Sequence, residues 1–185
     1  MIKSFFRLLL ACLFAQISLA KDLGNIFTAI NSMEQTTNVD DKAAHGPFAF
    51  FKTNLTFSID VIKTGAAAGD TFPLNMPRVF EIRILDEGVR QYFDIKFQNT
   101  IFASCNIKSA AGKADATTVL CTITADISAY KTISGDIKVV LVLDGGARRD
   151  ALAIAKTWSL GENTVTFNNA VSGEVKLITQ DITPP

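Results

Sequence analysis

Histidine is almost absent from this chain: His45 is the only one in 185 residues. A Ser-His-Asp hydrolase would have to use it. It sits in Ala43-Ala44-His45-Gly46-Pro47, a loop by composition, and no nucleophile-elbow motif occurs. Asp40, Asp41 and His45 do not have the spacing of a metal-ligand set. Asp144-Gly145-Gly146 with Asp150 lacks the dense oxygen donors of a Ca²⁺ loop. No P-loop, dinucleotide fingerprint or Cys-x-x-Cys is present. The expectation is a non-enzymatic protein with no catalytic residue, no cofactor and no metal. One tryptophan, Trp158, and two tyrosines are too few for a sugar-stacking platform. The 18 basic and 18 acidic residues form no basic patch or like-charge block, which argues against nucleic acid as a partner. Beyond residue 20 no apolar run reaches the ~18 residues of a transmembrane segment.

What is present begins with a leader. Lys3 and Arg7 precede an apolar run over residues 8–19, and Ser18 and Ala20 stand at −3 and −1 of a cut before Lys21. Residues 1–20 are therefore expected to be a secretory signal peptide, and residues 21–185 a single domain. Without Lys3 and Arg7 the balance is 16 basic against 18 acidic residues, net −2. Cys12 leaves with the leader. Cys105 and Cys121 remain, an even pair in an oxidising compartment. A disulfide between them closes a loop worth about 3 kcal/mol in the chain-entropy model. Asn54-Leu55-Thr56 is the one N-glycosylation sequon.

Period-2 alternation recurs along the chain. Leu55, Phe57, Ile59 and Val61 share a face, with Asn54, Thr56, Ser58 and Asp60 on the solvent side. Phe80, Ile82 and Ile84 oppose Val79, Glu81 and Arg83. Phe93, Ile95 and Phe97 oppose Tyr92, Asp94 and Lys96. Ile101, Ala103, Cys105 and Ile107 share a face, as do Val119, Cys121 and Ile123, so both cysteines point to the apolar side. From Val139 to Leu143 every residue is apolar, as in a central strand covered on both faces. Residues 164–167 and 174–177 read as the last strands. Turn signals stand at 65–69, 86–88, Gly112, Ser134-Gly135 and Ser172-Gly173. Helix is confined to two turns at 149–156 and one at 126–130, and Ile182-Thr183-Pro184-Pro185 reads as a domain end or linker. The pattern is an all-β, antiparallel, immunoglobulin-like β-sandwich with at most short helical turns.

Residues 69–84 carry more than a fold. In Gly69-Asp70-Thr71-Phe72-Pro73-Leu74-Asn75-Met76-Pro77-Arg78-Val79-Phe80, a Gly-Asp turn and two prolines lead into a strand. The wording resembles the N-terminal domain of yeast agglutinin-like and α-agglutinin cell-wall adhesins. So do Asn25-Ile26-Phe27-Thr28-Ala29-Ile30-Asn31-Ser32-Met33, Thr118-Val119-Leu120-Cys121-Thr122, the segment 128–143, and Gly161-Glu162-Asn163-Thr164-Val165-Thr166-Phe167-Asn168. The resemblance implies the first of two tandem immunoglobulin-like domains. It implies an extracellular protein, secreted or cell-wall associated, that mediates cell adhesion by binding a peptide or a cell-surface protein.

Three departures qualify it. The agglutinin-like adhesins carry a second disulfide, and its two positions here are Arg78 and Thr157. The family holds a peptide's C-terminal carboxylate with a lysine just after Met-Pro-x-Val-Phe, and that position here is Glu81, which repels a carboxylate. Arg83, on Glu81's face, or Arg78 would have to substitute. The family's peptide cleft also lies between two domains, of which this chain resembles one. The alternative function is a secreted single-domain remnant or paralogue without ligand capture. Val140 and Val142 are either covered within the domain, the preferred reading, or open to self-association.

Overall fold

A computed structural model describes residues 19–36, 50–84, 88–89, 92–109, 116–143 and 157–177 of the chain. His45 with Asp40 and Asp41, residues 86–87 of one expected turn, the turn expected at Gly112, Asp144-Gly145-Gly146, the helical turns expected at 149–156, residues 182–185 and most of the expected leader lie outside them.

Alternation becomes strand at nearly every place expected. The strands are β1 (Phe27–Thr36), β2 (Phe50–Asp60), β3 (Thr71–Pro77), β4 (Val79–Ile84), β5 (Gly88–Val89), β6 (Tyr92–Phe97), β7 (Thr100–Ser109), β8 (Ala116–Ile123), β9 (Thr132–Leu143), β10 (Gly161–Phe167) and β11 (Val171–Leu177). They form a five-stranded sheet, β1-β2-β9-β4-β5, and a four-stranded sheet, β3-β8-β7-β6. The hairpin β10-β11 lies with β11 beside β1 and β10 beside β3, so it closes one flank of both sheets. Among the described residues every strand ladder is antiparallel. The result is an all-β sandwich. Its core joins Phe51, Leu55 and Phe57 of β2 and Leu141 of β9 to Phe72 and Leu74 of β3 and Val119 of β8. β9 is the middle strand of its sheet, and Val140 and Val142 are only 4% and 6% exposed. The covered reading of these valines holds, and self-association has no open valine surface there.

Two glycines read as turns are instead inside strands. Gly135 faces Phe57 in the β2–β9 ladder, and a Cβ on it would meet the Phe57 ring at 3.2 Å. Gly173 lies in β11, where a Cβ would sit 2.6 Å from Ile30 Cγ2. Both glycines mark close approach rather than chain reversal. The reversal assigned to Ser172-Gly173 falls at Asn168-Asn169, where both residues have positive φ and Ala170 N donates to Phe167 O at 2.9 Å. That is a left-handed turn, and asparagine tolerates it better than most side chains.

Bulges shift two further faces. A register shift in the β4–β9 ladder between Val79 and Glu81 puts Val79 and Ile82 into the core and leaves Phe80 half-buried. The β6–β7 ladder shifts at Ile95/Lys96, so Phe102 joins Ala103 inside and Ile101 is exposed. An extra residue on one strand flips what strict alternation assigns. Residues 126–130 form a turn, with Tyr130 N donating to Ile127 O, rather than helix. The one helical turn described is α1 (Val61–Thr64). Asp60 caps it through Lys63 N, and Gly65 ends it at φ 59°.

Candidate functional site

Arg78 is where one long stretch of chain leaves the four-stranded sheet for the five-stranded one. β3 ends at Pro77 and β4 begins at Val79, so this single residue makes the corner, at φ 65°. A left-handed conformation costs a non-glycine residue about 1–2 kcal/mol. The side chain offsets that cost. Nη1 donates to Thr164 O and Nη2 to Thr157 O, both at 3.2 Å. The guanidinium carbon lies 3.5 Å from the centroid of the buried Trp158 ring, in cation–π geometry. Burial pushes the guanidinium below its ordinary pKa. Thr117 Oγ1 donates to Val79 O at 2.8 Å, which pins the start of β4 to β8. The two positions at which the resemblance places a second disulfide are thus in contact through a hydrogen bond.

The disulfide that is present joins Cys105 and Cys121. They are directly opposed in the β7–β8 ladder, with Cα atoms 3.9 Å apart and no exposure. Its role is to hold the second sheet together at the centre of the sandwich.

Two asparagines that the sequence shows only as motif letters have structural work. Asn163 Oδ1 accepts from Ser159 N, and its Nδ2 donates to Ser159 O and Gly161 O. This closes the chain onto Trp158 and the Arg78 corner. Asn168 Oδ1 accepts from Asn75 N while its Nδ2 donates to Pro73 O and Asn25 Oδ1, so its amide extends the β3 ladder. Asn163 closes a local turn within four residues, whereas the partners of Asn168 lie 93, 95 and 143 residues away in sequence.

A cleft of about 880 Å³ is lined by β1, β2, β9 and β6. Its charged side chains are Glu34, Asp94 and Asp136 against Lys52, Lys96 and Lys138. The charge is therefore balanced, and among the described residues none of the six is in an ion pair. Asp136 is oriented by Thr56 Oγ1, which donates at 2.7 Å, and Asn31 Nδ2 donates to Thr56 Oγ1 at 2.6 Å. Asn54 of the sequon also lines the cleft, opposite Lys138 in the β2–β9 ladder. It is half-buried, and its Oδ1 is buried without a hydrogen-bond partner among the described residues. Neither Arg78 nor Glu81 lines the cleft among the described residues. Glu81 and Arg83 face Val142 and Val140 in register, one strand over. No described group of three or more His, Cys, Asp or Glu has the arrangement of a metal site.

These features define a disulfide-stapled, all-β sandwich domain with a charge-balanced cleft beside its central strand. The model of the agglutinin-like protein N-terminal domain matches residues 56–184. The chain belongs to that family. Agglutinin-like protein 4 of Candida albicans is 30% identical over 166 residues, which cover 88% of this chain and 18% of that protein. Agglutinin-like protein 1 of Candida albicans is 29% identical over 162 residues, 85% of this chain and 12% of that protein. Agglutinin-like protein 5 is 28% identical over 160 residues, 85% of this chain and 11% of that protein. The chain spans less than a fifth of the length of these relatives. Among the described residues no helix is long and apolar enough to cross a membrane.

Proposed function

We propose that this chain is a fungal cell-surface adhesin domain that binds peptide or protein ligands without catalysing a reaction on them. The observation that carries the proposal is the cleft. It presents unpaired charges of both signs along three strands of one sheet and one of the other. A charge-balanced lining suits a peptide, whose own groups are mixed, better than a polyanion or a uniformly charged ligand. Membership of the agglutinin-like family supports an adhesin role. Residues 1–20 are the signal peptide in this reading, residues 21–185 the adhesin domain, and the protein is extracellular, secreted or held at the cell wall. Glu81 and Arg83, in register with Val142 and Val140, are the proposed ligand-binding residues of β4. Arg78 belongs to the corner. Asn54 is the proposed glycosylation site, and a glycan on it would enter the cleft and compete with a ligand.

The test is saturable binding of the secreted protein to yeast cells and to a peptide array, competed by free domain. Charge reversal of Lys138 to Glu together with Lys96 to Glu is expected to lower binding at unchanged stability. Binding indifferent to every cleft substitution would sink the reading. The second reading is a structural paralogue without ligand capture, and Glu81 at the family's lysine position favours it. Absence of saturable binding in glycan-free protein would establish it.

A further inference from the structure

We propose that cutting the chain after Ala20 turns Lys21 N from a neutral amide into an α-ammonium docked on the buried Asp70 carboxylate, so that maturation itself completes an ion pair inside the domain. The proposal rests on the leader reading and is independent of ligand binding.

Asp70 is 2% exposed, an unusual place for a carboxylate. Its Oδ1 accepts from Lys21 N at 3.0 Å and its Oδ2 from Ala67 N at 2.9 Å. Lys21 Nζ lies 3.6 Å from Oδ2 and donates to Thr64 O and Gly65 O at the end of α1. The backbone around the pair is fixed as well. Thr71 N donates to Lys21 O and Leu23 N to Thr71 O, a parallel bridge onto the start of β3. Asp70 O and Gly69 N bond Ile123 at the end of β8. The carboxylate ties Lys21 to Ala67, while Lys21 Nζ reaches the end of α1 and the backbone of Lys21, Gly69 and Asp70 reaches β3 and β8. Leu19 and Ala20 are exposed, so the Ala20–Lys21 bond is at the surface while its nitrogen points inward.

The chemistry balances with water alone. Signal peptidase hydrolyses the Ala20–Lys21 amide; Ala20 leaves with the new carboxylate, and Lys21 keeps the amine. That amine takes up a proton at neutral pH, since an ordinary α-amino group titrates at about 7.7–8.0. The carboxylate is ready for it. Burial alone would raise Asp70, but the Lys21 and Ala67 amides and the Lys21 ammonium outweigh burial and hold it below the usual range. The one other acid on this segment, Asp22, accepts from Gly24 N. A fixed anion 3.0 Å away stabilises the ammonium and raises its pKa.

The experiment uses the full chain secreted from a yeast host. Mass spectrometry reads the first residue. The α-amine is then titrated by pulsed acylation across pH and read as the fraction of chain blocked to Edman degradation, which separates it from Lys21 Nζ. The expected result is a chain beginning at Lys21, with an α-amine pKa at least about one unit above that of the same chain in urea, or about tenfold slower acylation near pH 6.5. Asp70→Asn is expected to restore the unfolded value. Should that variant fail to fold, the folded and urea-unfolded wild-type chains decide the matter. An α-amine that reacts alike in both overturns the ion pair. A chain that begins elsewhere overturns the proposal through the leader instead, and neither result bears on the adhesion assay.

Discussion

Removing the Arg78 side chain tests whether this residue is a corner or a ligand clamp. Arg78→Ala loses two guanidinium–carbonyl hydrogen bonds. They are at the surface, so each is discounted to about 0.5–1 kcal/mol. The cation–π contact with Trp158 adds about 0.5–1 kcal/mol. The expected loss is about 2 kcal/mol. Alanine keeps the strain of φ 65°, whereas glycine does not. Arg78→Gly is therefore expected to recover about 1 kcal/mol of that loss. Arg78→Lys keeps the charge but not the planar fork, and should fall between Ala and wild type. Urea unfolding followed by fluorescence reads all three, because Trp158 is the only tryptophan and lies against the guanidinium. An alanine variant within about 0.5 kcal/mol of wild type would refute the corner argument, as would a glycine variant less stable than alanine. Cell binding per folded molecule should stay unchanged; a selective loss of binding would return Arg78 to the ligand site.

Gly173→Ala forces a Cβ to 2.6 Å from Ile30 Cγ2, so it should destabilise the fold by about 1–3 kcal/mol. Ile30→Ala in the same chain should recover part of that loss, a coupling readable in a double-mutant urea series; additive losses would contradict the packing account. Replacing both Cys105 and Cys121 by serine should cost about 2–5 kcal/mol relative to oxidised wild type in urea unfolding, and reduced wild type should lose a similar amount; a variant as stable as the oxidised chain would contradict the staple. Val140→Lys places a charge at a site that is 4% exposed, so it should unfold the domain rather than yield a stable monomer; intact folding by circular dichroism would show an open surface instead. Asp70 is held below its ordinary pKa, so its contribution is complete above the unfolded value of about 3.9 and drains as pH falls through the folded value. Acid unfolding of wild type should accordingly have a steeper slope below about pH 4 than that of a folded Asp70→Asn variant, and equal slopes would contradict the linkage.

Alternation and turn chemistry are local, and what depends on them was legible in the residues alone. β2, β8 and the doubly covered end of β9 follow from side-chain period, whereas β1 and β3 stand in the sequence only as motif wording; the Cys105–Cys121 pair follows from count, expected compartment and face. Phase errors began where one residue was added. The bulges in β4 and between β6 and β7 change which side chain is inside without changing composition, so strict alternation places Phe80 and Ile101 on the wrong side. Gly135 and Gly173 carry a turn's signature, yet they sit in strands because Phe57 and Ile30 occupy the space of their missing Cβ atoms. Those partners lie in other strands, and no window of sequence contains both.

By itself the sequence determined an all-β sandwich of the agglutinin-like kind, because hydrophobic period, cysteine parity and motif wording are properties of short segments. Tertiary structure alone decided which residues meet. Arg78 and Thr157 are 79 positions apart and share a hydrogen bond. Asp70 and Lys21 are 49 apart and share another. The six cleft charges come from four strands. The physical reason is that sheet order and register are set by packing the whole core at once, and a site assembled across strands exists only after that packing is complete.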